Sequence, residues 1–271
     1  MPELPEVETI ARQIHQYFLG ERLSSIEARQ VRIFQNINAE EFCANLVGRK
    51  LMAVERYGKF LYWNMEGLYP VFHLGMSGIF LKEKSQSNYP QHIHISMAFN
   101  QHLNLYFQDV RKFSKIFLYH RKPDFPQLGI DPTCKNFTLN NLRKLLNLRS
   151  VNIKSMLMDQ GIIAGIGNIY ANEVLYDARI HPLRPANSLN KHEIRQIYHS
   201  IKKIMNLALE RFGTTYSAYR TVQGNMGDNQ SFLKVYQKEG TPCPVCRTTI
   251  EKILVNNRST FYCKKCQIRV K

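Results

Sequence analysis

The 271-residue chain lacks any run of about 18 consecutive apolar residues, the length needed for a membrane-spanning helix. Its first residues, MPELPEVETI, carry acids where a signal peptide would carry a basic start and an apolar stretch, so a cytoplasmic protein is expected. Asp and Glu are scarce: 21 against 37 Lys and Arg, a net charge of +16. A surplus of that size repels itself and points to a polyanionic partner, although a merely basic enzyme would share it. No cluster of Asp or His residues suggests a metal-dependent nuclease. No internal repeat or low-complexity segment is present. Apolar content of 44% suits a globular protein, and the length suits more than one domain.

The six cysteines are not arranged as a disulfide framework. Cys243, Cys246, Cys263 and Cys266 form C-x2-C-x16-C-x2-C, the spacing of a zinc ribbon, while Cys43 and Cys134 stand alone as core thiols. Each C-x-x-C pair can aim two thiolates at one ion, and a hairpin between them closes the site. From Cys243 to Lys271 there are seven basic residues and one acid, Glu251. The tail is therefore expected to be a cationic module.

Periodicity divides the rest. Val7, Ile10, Ala11, Ile14 and Phe18 recur at helical spacing over residues 7–19, with Gly20 as a stop. From about 22 to 120 the pattern is mostly strands: RLSSIEAR, KFLYWNM, YPVFHL, HIHISMAF, LNLYF after an Asn100-Gln101 turn, and KIFLYH. A sandwich or barrel-like domain follows, ending near the proline-containing KPDFPQLGIDP. After Thr138 the period becomes helical in TLNNLRKLLNL, VNIKSMLMDQ and KHEIRQIYHSIKKIMNLALERF, with the Gly-rich QGIIAGIGNIYANEVLY between them giving a helix–turns–helix. Residues 217–236, with Gly224, Gly227 and Asp228, read as a mobile loop.

Several residues carry two readings each. A free proline amine at position 2 would be partly neutral near pH 7 and nucleophilic, with Glu3 and Glu6 beside it to move protons. It would need Met1 removed, which a small second residue permits. The alternative is a terminal strand followed by helix-start acids. Lys59 and Lys154 are snorkelling cations or phosphate clamps. Asn168 is an N-cap or a phosphate ligand at a helix start. Met76 in HLGMSG is a hairpin tip or a wedge between bases, and QDVRKFS sets Arg111 beside Phe113.

Taken together and in this order, MPELPEVET, RYGKFL, HLGMSG, DVRKF, AGIGNIYANE, a GTT stretch before a Gly-rich loop, and RSTFYCKKCQ resemble the bacterial formamidopyrimidine-DNA glycosylases of the endonuclease VIII superfamily, over essentially the whole chain. The resemblance implies an α+β fold. It comprises an N-terminal β-sandwich domain with an N-terminal helix (1–130), a helix-two-turns-helix domain with a lesion-capping loop (131–236) and a β-hairpin zinc finger (237–271). It implies a monomeric base-excision repair enzyme with one structural zinc, acting on damaged double-stranded DNA and associated with the nucleoid through it. Oxidised purines such as 8-oxoguanine and formamidopyrimidines would be released through a Schiff base on Pro2, followed by β,δ-elimination. Glu3 would shuttle protons at the sugar and Glu6 would support the nucleophile. Lys59 would serve β-elimination and Lys154 would lie near the lesion, with Glu3, Lys59 and Arg258 as proton donors. Asn168 and Arg258 would grip phosphates, His92 would contact DNA, and Met76, Arg111 and Phe113 would fill the gap in the duplex, Arg111 facing the orphaned cytosine. The Thr214–Gly227 region would cap the lesion.

The chain departs from the family pattern at Ser114 and Arg247, where glycine is usual, and at Ile130-Asp131-Pro132, where the usual motif is PEP. A branch preferring oxidised pyrimidines is the nearest alternative. A non-catalytic DNA-binding protein is a more distant one, because a pure binder has no need of an amine with two acids.

Overall fold

The structure, a computed structural model, describes residues 1–100 and 103–268; Gln101 of the expected turn and the last three residues of the expected zinc-finger segment lie outside the described residues. The chain forms two compact units, Met1–Phe125 with Leu209–Gln230 and Pro126–Ala208 with Ser231–Lys271. Each unit draws on two stretches of chain, whereas the sequence boundaries were consecutive. Residues 209–230 group with the first unit through specific bonds: the Val222 N–H donates to Gln13 Oε1 at 2.8 Å and the Lys82 N–H to the Val222 carbonyl at 2.9 Å.

In the first unit, helix α1 (Leu4–Phe18) buries every apolar residue of the predicted stripe. It begins three residues earlier than the periodicity suggested, because Pro5 fits the first turn and Glu3 and Glu6 form a reciprocal capping box. Strand β1 (Leu23–Ala28) is followed by helix α2 (Ala39–Leu46), which the strand-like reading of this region did not anticipate. Asn38 caps α2 by accepting the Glu41 N–H at 2.8 Å, and Ala39, Phe42 and Leu46 are buried; eight residues are too few to declare a helical period.

Strands β2 (Leu51–Tyr57), β3 (Phe60–Met65), β4 (Tyr69–His73), β5 (Gly78–Leu81), β6 (Ile93–Phe99), β7 (Leu103–Asp109) and β8 (Lys115–Tyr119) complete two antiparallel four-stranded sheets, ordered β1-β6-β7-β5 and β2-β3-β4-β8. Alternation sends Trp63 and Phe72 of one sheet toward Phe80 and Phe107 of the other. The ring centroids are 4.9 Å apart for Trp63–Phe72, 5.2 Å for Phe72–Phe80 and 5.0 Å for Phe80–Phe107. The helices α1 and α2 contribute Ile10, Ile14, Phe18 and Phe42 to the same core. This is the expected sandwich with its N-terminal helix.

The second unit holds α3 (Leu139–Asn147), α4 (Ile153–Met158), α5 (Asn168–Asp177), α6 (Lys191–Glu210) as far as Ala208, and the hairpin β9 (Glu251–Val255) and β10 (Arg258–Tyr262). Two turns separate α4 from α5. The Ile163 N–H donates to the Asp159 carbonyl at 2.9 Å in the first. Gln160 closes the second, donating to the Ile166 carbonyl at 2.7 Å and accepting the Gly165 N–H at 2.9 Å. Gly129 packs so tightly against Ile162 that a Cβ there would lie 2.2 Å from its carbonyl, which demands glycine. At the neighbouring departure from the family pattern, buried Asp131 accepts from the Thr133 N–H and hydroxyl, at 2.8 and 2.6 Å, and so builds its own turn. No helix among the described residues is long and apolar enough to cross a membrane.

Phe72 is fully buried between the sheets. Phe72→Ala is expected to destabilise the protein by about 3–5 kcal/mol in urea unfolding. A loss below about 1 kcal/mol would show that the two sheets do not share one core.

Candidate functional site

The first unit concentrates ionisable groups around the start of the chain. Pro2 is buried, as are Glu3, Glu6 and Lys59, each no more than 5% exposed. Glu6 occupies both carboxylate oxygens: Oε2 accepts the Glu3 N–H at 2.8 Å and Oε1 accepts the Thr214 N–H at 2.7 Å. A Cβ on Gly213, whose φ is +80°, would lie 2.8 Å from Glu6 Oε1, so glycine permits that bridge. The α-amino group of Met1 has its pKa lowered from the ordinary value. Burial is the main cause; Glu3 and Glu6 oppose it, and Lys59 and Arg111 add to it. The amino group thus lies partly buried among two carboxylates and two cations, and burial tips it toward the neutral form.

Lys59 follows Gly58 (φ +57°) in the β2–β3 turn. Pairing of Phe60 with His73 brings β4 alongside, and the His73 pKa is lowered to about 4 by burial and by the charges of Lys59 and Lys115. The sequence reading missed His73. Its position inside HLGMSG was visible, but its proximity to Lys59 arises only from strand register.

Met76, Arg111 and Phe113 converge as the motifs suggested. Arg111 Nη1 lies 3.2 Å from Met76 Sδ, and the Arg111 guanidinium sits 4.5 Å from the Phe113 ring centroid. Arg32, also missed, approaches the same ring at 5.6 Å and donates to the Arg111 and Lys112 carbonyls, both at 3.2 Å. Met76 and Phe113 remain 38% and 43% exposed. The departure at Ser114 fits locally: its N–H donates to Asp109 Oδ2 at 2.8 Å and its hydroxyl to the Leu74 carbonyl at 3.0 Å. A cavity of about 540 Å³ lies beside these residues, lined among others by Met1, Met76, Tyr89, Arg111, Ser217 and Arg220. His92 ends a short 3-10 turn next to Tyr89, half-buried.

The loop expected to be mobile follows a hydrogen-bonded path. Thr215 Oγ1 accepts the Gly227 N–H at 2.9 Å, and the Tyr219 hydroxyl donates to the Phe212 carbonyl at 2.8 Å.

In the second unit, Lys154 is fully buried rather than snorkelling. Its amine donates to the Ser259 carbonyl at 3.1 Å and to Thr260 Oγ1 at 2.6 Å. Asn168 is the first residue of α5, with Gly167 in the cap position, and donates to the same Ser259 carbonyl at 3.1 Å. Asn168 Oδ1 is buried without a partner among the described residues. Arg258 is exposed at the start of β10, one residue from that shared carbonyl. Two further residues of α5 hold the chain that follows. Asn172 Oδ1 accepts the Phe261 N–H at 2.7 Å, and buried Glu173 accepts the N–H groups of Lys234, Val235 and Tyr236 at 2.8, 3.0 and 2.8 Å. Neither was singled out, since nothing local in NIYANE distinguishes a positioning amide from a surface one.

The four cysteines meet around one point. All Sγ atoms lie within 4.8 Å of one another, with Cys246–Cys263 at 3.4 Å and Cys243–Cys266 at 3.8 Å. Tetrahedral thiolate coordination at about 2.3 Å requires sulfur separations in this range. The Tyr176 hydroxyl, 3.2 Å from Cys243 Sγ, ties the cluster to α5. Arg247 adopts φ +64° immediately after Cys246, the left-handed geometry for which glycine is usual at this position.

Comparison with known proteins decides the family. Residues 1–116 match the formamidopyrimidine-DNA glycosylase N-terminal domain, 128–220 its H2TH domain, and 240–268 the zinc finger found in FPG and IleRS. The chain belongs to the formamidopyrimidine-DNA glycosylase family. A formamidopyrimidine-DNA glycosylase of Lactobacillus delbrueckii subsp. bulgaricus is 37% identical, covering 99% of this chain and 100% of its own. Lactococcus lactis Fpg, solved with DNA containing an abasic site, is 32% identical with a TM-score of 0.90, covering 98% of this chain and 100% of that one. A Lactococcus lactis Fpg variant solved with Fapy-dG containing DNA has a TM-score of 0.91 at 32% identity, over 99% and 100%. The glycosylase is a base-excision repair enzyme that binds damaged DNA, and its four cysteines hold a structural zinc ion, since four protein ligands leave no open position.

Two outcomes are expected from this geometry. Cys263→Ser weakens zinc binding at least about tenfold, read by chelator competition, and lowers DNA affinity with it; full metal occupancy in the variant would contradict the four-ligand site. A second concerns pH. His73 is held neutral by the fold, so its contribution is intact above an unfolded pKa of about 6.5 and is lost as pH falls toward about 4. Stability should decline by up to about 3 kcal/mol across that window, and His73→Gln should flatten the urea midpoint profile there.

Proposed function

We propose that this glycosylase excises oxidised purines, 8-oxoguanine and formamidopyrimidines, through a covalent intermediate on Pro2, and then cuts the strand by β- and δ-elimination. The observation that carries the reading is the buried start of the chain, its acids and Lys59 gathered in one unit with the cavity beside Met76 and Arg111.

Removal of Met1 converts the Pro2 nitrogen from an amide into a secondary amine. The lone pair attacks C1′ of the damaged nucleotide; the glycosidic bond breaks and its electron pair leaves with the base, which takes up a proton. Glu3 shuttles protons at the sugar and assists opening of the ring to the iminium. Glu6 keeps the nucleophile in place through its two backbone bonds, one at each end of the site. Abstraction of a proton from C2′ then expels the 3′ phosphate, with Lys59 as phosphate contact and proton donor. A second elimination removes the C4′ proton and expels the 5′ phosphate, with Arg258 as donor to the leaving oxygen.

Lys59 and His92 of the first unit contact phosphates, as do Asn168 and Arg258 of the second, in which Lys154 fixes the strand that carries Arg258. Met76, Arg111 and Phe113 enter the space left by the extruded nucleotide, offsetting part of the few kcal/mol that unstacking costs. Arg111 faces the orphaned cytosine, and the 214–227 loop covers the displaced base. The enzyme acts as a monomer, in the cytoplasm and on the nucleoid, and its +16 charge makes binding fall steeply as salt rises.

Borohydride trapping on duplexes containing 8-oxoguanine opposite cytosine, run beside thymine glycol, tests the substrate and the intermediate together. A covalent adduct on the first residue of the processed chain, formed faster with the purine lesion, is expected. Faster trapping on thymine glycol would move the enzyme to the pyrimidine-preferring branch, and no adduct at all would remove the Schiff base. Pro2→Gly is expected to slow excision at least about a hundredfold while the dissociation constant for lesion DNA changes by less than about threefold. Equal loss of both would make Pro2 a structural residue.

A further inference from the structure

Asp109 ends β7 with its side chain completely buried, directly beneath the two turns that carry Met76 and Arg111. One carboxylate oxygen, Oδ1, accepts the Ser77 hydroxyl and the Arg111 N–H, the latter at 3.2 Å. The other, Oδ2, accepts the Ser114 N–H at 2.8 Å. The Arg111 N–H is shared with Ser77 Oγ at 3.0 Å, which closes a triangle between the turns. The Asp109 carbonyl is engaged as well, by His94 Nε2 at 3.0 Å.

The two turns meet backbone to backbone. A Cβ on Gly75 would lie 2.4 Å from the Phe113 carbonyl oxygen, and one on Gly78 would lie 2.4 Å from the Ser114 hydroxyl oxygen. Between them the chain at Lys112 takes a left-handed φ of +56°. Neither turn has its own ladder partners at the tip, so the buried carboxylate satisfies donors that would otherwise be left unpaired between them. Hydrogen bonds to a buried charge are strong and directional, and their loss is costly.

We propose that Asp109, with Ser77, is the positioning residue for base discrimination: it sets the spacing between Met76 and Arg111, and through it the register in which Arg111 meets the base opposite the lesion. The inference rests on the reading of Met76, Arg111 and Phe113 as the residues that enter the duplex. Asp109 itself touches no DNA. It acts through the backbone N–H groups of Arg111 and Ser114 and through the Ser77 hydroxyl. An amide in its place presents one acceptor and one donor to three donors, so Asp109→Asn must release at least one arm of the clamp. Ser77→Ala removes one arm only and leaves the core intact.

Three measurements test this on the full-length, Met1-processed enzyme with zinc bound. The first is the ratio of kcat/KM for 8-oxoguanine opposite cytosine to that opposite adenine; it is expected to fall about tenfold in Asp109→Asn and by less in Ser77→Ala. The second is cleavage of a preformed abasic site in single-stranded DNA, where no opposite base exists; both variants are expected within about twofold of the parent. The third is amide hydrogen exchange over residues 110–114, expected to accelerate in both variants. A parallel fall in single-strand cleavage would make Asp109 a general stability residue and overturn the proposal, as would unchanged exchange or an unchanged ratio beside a ratio that Arg111→Ala does collapse. If exchange accelerates but Arg111→Ala also leaves the ratio untouched, the wedge reading has failed and the discrimination role falls with it, while the clamp stands as a structural fact.

Discussion

The carboxylate of Glu6 is the constraint from which the rest of the site follows. It accepts one N–H from Glu3, at the start of α1, and one from Thr214, in the segment that returns to the same unit some two hundred residues later. A chain terminus held by nothing but its own helix would fray and remain hydrated. Here both oxygens of a buried anion are consumed by backbone donors, so the terminus cannot leave without stranding a charge in a dry interior. Burial lowers the proton affinity of the amino end, against the opposing charges of Glu3 and Glu6. An α-amine starts near neutrality, so modest desolvation suffices where a lysine would need a far larger shift.

The same device recurs through the molecule. Buried Asp109, Asp131, Glu173 and Lys154 each satisfy two or more groups of irregular backbone or adjacent side chains, joining segments distant in sequence or closing a local turn. The sandwich core and the helices provide the free energy, while these polar hubs set where the loops go. Loops bearing functional groups can then be irregular and partly exposed, as the turns with Met76 and Phe113 are, without being loose. Zinc plays the corresponding part for the hairpin, too small to bury a core of its own.

Much of this was legible in the sequence, and the reasons are physical. The cysteine spacing is a short-range geometric code, so the ribbon could be read outright. The α1 stripe and the alternation of β6 survive because helix and strand periods are local. Helix α2 escaped because its eight residues bury only Ala39, Phe42 and Leu46, too few positions to declare a helical period. The units' discontinuity escaped because it is written in two side chains, Glu6 and Gln13, whose partners lie beyond residue 210. His73, Arg32, Asn172 and Glu173 were invisible as functional candidates for the same reason: each becomes informative only when strand register or helix docking supplies its neighbour. Lys154 shows the converse. Its chemistry drew notice, but its setting is a buried amine gripping a carbonyl rather than a solvated stem.

The departures from the family pattern show how much of the motif is side chain and how much is backbone. Ser114 replaces a usual glycine yet keeps the N–H that Asp109 accepts, and its hydroxyl finds the Leu74 carbonyl, so the turn tolerates a side chain provided it points into that contact. Asp131 builds an Asx turn where PEP is usual, adding two hydrogen bonds from Thr133 around the retained Pro132. Arg247 is different: nothing in its geometry relieves φ +64°, a conformation that costs a non-glycine residue about 1 kcal/mol or more. Metal coordination by the flanking cysteines holds the chain there regardless. Left-handed backbone is not confined to the metal site: Lys112 takes φ +56° in the turn beside Arg111, where no ion is needed because Asp109 accepts the flanking Arg111 and Ser114 N–H groups.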